Sequence, residues 1–189
     1  KTLVNRDLEK NSIFINHNVS LGSKAEISEI SFIGNKNFKD RKLRNLITSE
    51  ESRFWKFISN RSNLDRERIN LDTRLIDNFY KNEGYYKANV VNSFVELKED
   101  NSFKLIFNID SGPKFYIGDV KIIIPENFSK EYFTKIKKEA LKLSGKKYSF
   151  NKINKVLNEV DKIALNKQYE FIDAKIVEEI KKDNINFTI

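Results

Sequence analysis

The chain has 189 residues, enough for one large domain or two small ones. Hydrophobic residues make up 39%, with 15 Phe, and charged residues 33%, so small cores can form inside a heavily solvated surface. With no Cys and a single His, disulfides, thiolate metal sites and Cys/His nucleophiles are excluded, and no apolar run approaches the roughly 20 residues of a membrane-spanning helix. The formal net charge of +8 raises nucleic-acid binding as a class. The cations are not clustered, however. Lys121, Lys130, Lys135, Lys137, Lys138, Lys142, Lys146 and Lys147 alternate with apolar residues and carboxylates, as on solvated faces with a weak preference for acidic partners.

The chain starts at Lys1, which reads as an excised piece of something longer. "KTLVN" is expected to end a strand, "RDLEK" to turn, and Ser12 to Ser20 to return as a second strand. Ala25 to Ile33 alternates as a strand around Ile27 and Ile30, and Gly34-Asn35 stops it with a turn in which the Asn side chain caps backbone. Asp40 is the expected N-cap of a short helix that puts Leu43, Leu46 and Ile47 on one face. A long connection with Phe54, Trp55 and Phe57 follows. Asp65 is then expected to cap a helix with Ile69, Asp72, Ile76, Phe79 and Tyr80 in register, ended by Gly84 at the position after the cap.

Tyr86 to Leu97 and Phe103 to Ile109 alternate as a hairpin around the turn "KEDNS". Beyond Ser111-Gly112-Pro113-Lys114 the order returns: a strand from Phe115 to Ile124, stopped by Pro125, then a helix capped by Ser129 with Phe133, Ile136 and Ala140 inward. A second helix is expected to be capped by Ser149, with Ile153, Val156, Leu157, Val160 and Ile163 inward. A strand from Phe171 to Val177 and a closing strand at Ile185, Phe187 and Ile189 complete the pattern.

The recurrence is visible in the residues themselves. "NVSLGSKAEISEISF" from Asn18 aligns without gaps on "NIDSGPKFYIGDVKI" from Asn108, an offset of 90. "INLDTRLIDNFYKNEGYY" from Ile69 aligns on "INKVLNEVDKIALNKQYE" from Ile153, an offset of 84 that keeps Asp77/Asp161, Asn82/Asn166 and Tyr85/Tyr169. The excess in the first copy falls around Ser49 to Asn60. The fold class expected is α+β, built from tandem β-α-α-β-β modules. The boundaries expected are a closing hairpin at 1–22, a complete module at 23–112 and a second module at 113–189, its closing strand at the C-terminus.

Three features together resemble the POTRA family. They are I-x-F-x-G-N-x-x-F (Ile30, Phe32, Gly34, Asn35, Phe38), the helix end D-x-x-x-I-x-x-F-Y-x-x-x-G-Y (Asp72, Ile76, Phe79, Tyr80, Gly84, Tyr85), and the linker S-G-P-K-F-Y-I-G-D-V from Ser111. Their order, covering nearly the whole chain, is similar to the periplasmic arm of BamA-type outer-membrane β-barrel assembly proteins, from the end of a second repeat to a fourth. Two departures stand out: Gln168 replaces Gly84, and "IIIPENF" replaces "SFIGNKNF".

The resemblance implies a three-stranded mixed sheet packed on two helices in each module. It implies a non-enzymatic scaffold on the periplasmic face of the outer membrane, attached through a C-terminal β-barrel that lies outside this chain. Its partners would be unfolded outer-membrane proteins and accessory lipoproteins, with no cofactor and no nucleic acid. Client edges are expected along Tyr86, Lys87, Asn89 and Val91 and along Phe171, Asp173 and Lys175. An accessory-partner patch is expected at Phe54, Trp55 and Phe57, and a restricted inter-module hinge at Ser111, Gly112, Pro113 and Lys114. Gly34, Asn35 and Gly84 are expected to be structural turns. His17 and carboxylate pairs such as Glu50/Glu51 and Glu178/Glu179 read as ordinary strand and solvated residues rather than acid/base groups. Two alternatives stay open, a basic α+β nucleic-acid-binding protein and a POTRA-type scaffold of a secretion transporter.

Overall fold

A computed structural model describes residues 2–7, 12–18, 26–52, 62–126, 128–167 and 174–189. The described elements are β1 (Thr2–Asp7), β2 (Ser12–His17), β3 (Ile27–Asn35), α1 (Asp40–Arg44), α2 (Arg66–Asn82), β4 (Asn89–Leu97) and β5 (Phe103–Asp110). They continue with β6 (Tyr116–Lys121), a 3₁₀ turn (Lys130–Phe133), α3 (Thr134–Leu141), α4 (Phe150–Asn166), β7 (Val177–Lys181) and β8 (Asn184–Thr188). Strands β1 and β2 form an antiparallel pair. The remaining strands form two mixed sheets, ordered β3-β5-β4 and β6-β8-β7. In each, the first strand runs parallel to the last, which pairs antiparallel with the middle one in sequence. The chain is therefore α+β, with two units of one topology.

Each sheet is covered on one face by its helices, and alternation decides which residues go under them. In the first unit Ile30, Phe32, Leu105, Phe107 and Ile109 meet Leu43, Ile76 and Tyr80 in one core. Phe32 and Phe107 stack at 5.6 Å between ring centroids. In the second unit Ile117, Val120, Ile185 and Phe187 meet Phe133, Ile136, Ala140, Ile153, Val156 and Val160.

Helix α2 begins where expected, with the Asp65 carboxylate accepting the Arg68 N–H at 3.0 Å. It ends in a Schellman-type closure, the Tyr85 N–H reaching the Tyr80 carbonyl at 3.0 Å, with Gly84 at φ +103° between them. Gly34 closes β3 at φ +88°, and the turn after it delivers Phe38 against Phe79 and Tyr80, at 4.7 and 5.1 Å. Asp72, fully buried, accepts from the Thr48 N–H and hydroxyl and from the Ser49 N–H, fastening the chain beyond α1 to α2.

Several boundaries differ from expectation. Lys39, not Asp40, occupies the N-cap of α1, and Asp40 sits in its first turn paired with Lys36. Ser129 makes no side-chain cap. Strand β4 starts at Asn89 rather than Tyr86, because the Ala88 N–H folds back onto the Tyr85 carbonyl. Strand β7 spans Val177–Lys181, so residues 174–176 of the expected strand precede it, and Phe171 to Asp173 lie outside the described residues. No helix among the described residues is long and apolar enough to cross a membrane.

Candidate functional site

The two sheets each have two edges, and the chain treats them differently. Along β3 the Ser52 N–H donates to the Ile27 carbonyl at 2.7 Å. The Ile30 N–H donates to the Glu51 carboxylate at 3.1 Å, and the Arg44 guanidinium donates to the Ile30 carbonyl at 3.2 Å. Along β6 the Ile117 N–H donates to the Lys146 carbonyl at 2.8 Å, and the Gly145 N–H donates back to Ile117 at 2.7 Å. The first-strand edge of both units is thus occupied by the chain's own backbone or side chains. Strands β4 and β7 end their sheets, and no described strand pairs with their outer edges. Such an edge presents backbone donors and acceptors to any extended segment.

The β4 edge is not open along its whole length. A bulge falls between Val90 and Asn92, and the Val90 N–H donates to the Asp77 carboxylate at 2.7 Å. Burial pushes the Asp77 carboxyl up from its ordinary range, with the Val90 N–H pulling against it. Beyond the bulge, from Asn92 to Leu97, no described strand pairs with this edge. Of the residues expected along it, Asn89 lies at the strand start and Val91 at the bulge, while Tyr86 and Lys87 lie in the preceding turn. On the second unit Lys175 is exposed and precedes β7. Phe171 and Asp173, like Phe54, Trp55 and Phe57, lie outside the described residues.

Tyr86 belongs to a different structure, the joint between the units. Its ring packs against the core of the second unit, 5.8 Å from Phe115 and 5.0 Å from Tyr148. Its hydroxyl donates to the Glu178 carboxylate on β7. That contact, with burial behind it, pushes the phenol up to about 12. Its neighbours act likewise. The Asn82 side-chain oxygen accepts from the Asn151 N–H at 2.8 Å and from the Ser149 hydroxyl at 3.1 Å. The first turn of α4 is therefore capped from the other unit, and the Ser149 side chain expected to cap it bonds Asn82 instead. Lys147 bridges to Glu83 at 2.7 Å and holds that carboxyl below its usual range. The Gly84 carbonyl accepts the Phe115 N–H at 2.7 Å. Lys114 lies over Tyr85 and Lys87 over Phe115, at 5.9 and 5.7 Å.

The linker is fastened as well. Ser111 is fully buried, and its hydroxyl accepts from the Asn37 amide at 2.6 Å. The Gly112 N–H donates to the Asp110 carboxylate at 3.1 Å. Pro113 and Lys114 are exposed. Sequence reasoning missed the joint because its partners are far apart in the chain; the one signal was that Asn82 recurs as Asn166. Asn35 ends β3 beside Gly34, and its side chain lies outside the described residues. His17 is exposed, its Nδ1 3.2 Å from the Thr2 hydroxyl. Among the described residues no group of His, Asp or Glu is arranged to hold a metal ion.

Comparison with known proteins fits this architecture. The family model described as "POTRA: Surface antigen variable number repeat" matches residues 25–112. The chain is also similar to the outer membrane protein assembly factor BamA of Neisseria meningitidis serogroup B, at 26% identity over 116 residues, 61% of this chain and 15% of that protein. The chain spans between 15% and 29% of the length of the curated relatives it matches. Among solved structures it resembles Haemophilus influenzae BamA POTRA3-5, with TM-score 0.56, 17% identity, and coverage of 100% of this chain and 70% of that one. It also resembles Haemophilus ducreyi BamA lacking POTRA domains 1-3, with TM-score 0.61, 16% identity and coverage of 86% and 28%. The likeness as a whole is to the POTRA segments of BamA-type proteins, and the second unit repeats the POTRA topology of the first.

Proposed function

We propose that this chain is part of a non-enzymatic periplasmic scaffold for outer-membrane protein assembly, which receives unfolded β-barrel precursors by strand addition at β4 and β7. The observation that carries this is the asymmetry of the edges: β3 and β6 are covered by the chain itself, while β4 and β7 are not paired by any described strand. Strand addition draws affinity from main-chain hydrogen bonds and tolerates many sequences, as a handler of diverse clients requires. The similarity to BamA supports the setting, the periplasmic side of an outer membrane with the barrel outside this chain. In this reading the modules divide as 23–112 and 113–189, preceded by a closing hairpin. The linker from Ser111 to Lys114 gives restricted articulation, and accessory lipoproteins dock elsewhere, with the Phe54, Trp55 and Phe57 loop as a proposed contact.

Photo-cross-linkers placed at Asn92 and Glu179 in cells test the edges directly. Capture of outer-membrane precursors at both, and not at Ser52 beside the covered β3 edge, is the expected result. No precursor captured at either edge, together with salt-sensitive binding of RNA or DNA by the purified chain, would sink the proposal.

A further inference from the structure

Beside the β7 edge lies a cleft of about 680 Å³ that both units line. Its walls include Tyr148 just before α4, Phe150 and Asn154 in its first turns, Ile176 and Glu178 from the β7 segment, and Lys81 and Tyr86 from the first unit. Ile176 packs on the core beneath the helices, and Glu178 meets Tyr86 there, so both point to the helix face. Glu179, the alternate residue, faces the other way, to Asn186 and Lys181. A strand added to β7 sits about 4.8 Å away, and every second side chain faces the helices as Ile176 and Glu178 do. Those side chains have this cleft in front of them.

We propose that the cleft is a specificity pocket for the strand added at β7, taking one uncharged aromatic side chain. This rests on the strand-addition reading above and adds a preference to it. The volume lies in the range of clefts that hold small organic groups, about 300–1,000 Å³. Three rings line it, Tyr86, Tyr148 and the exposed Phe150, which favour a further ring edge-on. Its single cation and single carboxylate, Lys81 and Glu178, balance each other and select no charged occupant. The site is composite, since Tyr86 and Lys81 come from the neighbouring unit. At the corresponding place in the first unit Asp77 instead ties Val90 to α2 and draws β4 against the helix. The preference therefore belongs to β7 and not to β4.

The test is an NMR titration of the full 189-residue chain with ten-residue peptides. Each alternates Thr with Phe, Ala or Lys, and a further Phe peptide is N-methylated along its pairing edge. The Phe peptide is expected to shift β7 amides with about three- to tenfold higher affinity than the Ala or Lys peptides. The N-methylated peptide should bind more weakly than its parent, and β4 amides should show no such ranking. Phe150→Ala, with Phe150→Leu as a milder second variant, should abolish the ranking at β7 while leaving Ala-peptide affinity unchanged. Equal affinity of the Phe and Ala peptides at β7, or a ranking that survives both Phe150 variants, overturns the pocket and leaves strand addition standing. If no peptide shifts β7, strand addition at that edge fails and the pocket with it.

Discussion

Gly34 occupies a backbone region at φ +88° that side chains rarely adopt, and a β-carbon there would fall on the Ile109 carbonyl oxygen and the Asn108 side chain. Gly34→Ala is therefore expected to cost about 1–3 kcal/mol from backbone strain, before any clash, measured as a lower urea midpoint. Asp72 is the opposite kind of constraint, a buried carboxylate that satisfies three donors from Thr48 and Ser49. Asp72→Ala orphans those donors and should cost about 3 kcal/mol by the same measurement. Tyr86 gives a pH dependence with a definite sign. Its folded pKa, about 12, lies above the ordinary value of 10, so the folded state holds the proton longer. Its contribution to stability is whole below pH 10 and is lost as pH rises toward 12. Unfolding by urea at pH 9 and 11 should show a smaller alkaline loss for Tyr86→Phe than for the parent chain. An equal loss in both would show that the hydroxyl does not donate to Glu178 in solution.

At the scale of elements, what stands at a helix start depends on where its donors are met. Asp65 caps α2 from its own chain, and Asp65→Ala should cost about 1 kcal/mol. Helix α4 is capped from the first unit by Asn82. Asn82→Ala should accordingly speed hydrogen exchange in the first turn of α4, about 70 residues away in sequence, while α2 exchange changes little. If exchange accelerates only in α2, the cap is not formed across the joint. Strand ends follow the same logic. The alternation that marks Tyr86 to Leu97 is real, but a ring that packs on another core and a turn bond at Ala88 cut the strand back to Asn89.

At the scale of the molecule, every residue from Asn82 to Lys87 meets the second unit or its linker, by hydrogen bond, ion pair or ring contact. The ion pair alone contributes little, about 0.2–1 kcal/mol, since Lys147 and Glu83 are partly exposed. The Tyr86 ring, set into the second core, carries more because it removes apolar area from water. The two units should align as one body in residual dipolar couplings, and Tyr86→Ala should separate them into two alignment tensors. Two tensors for the parent chain would mean that the joint does not hold. In the proposed strand addition, a fixed joint would set the relation between the β4 and β7 edges.

The element order, the repeat and most of the core were legible in the chain alone. Ile76, Phe107 and Ile153 had to be apolar at strand or helix spacing for either sheet to have a covered face, and that requirement is local. The Gly84 stop and the Asp65 cap were legible for the same reason. Which edge the chain covers was not, since it turns on Glu51 and Arg44 reaching β3 and on Lys146 reaching β6. Nor was the placing of Tyr86, whose partner Glu178 is 92 residues away. Alternation says that a side chain is buried, but only the packing of two units against each other decides in whose core.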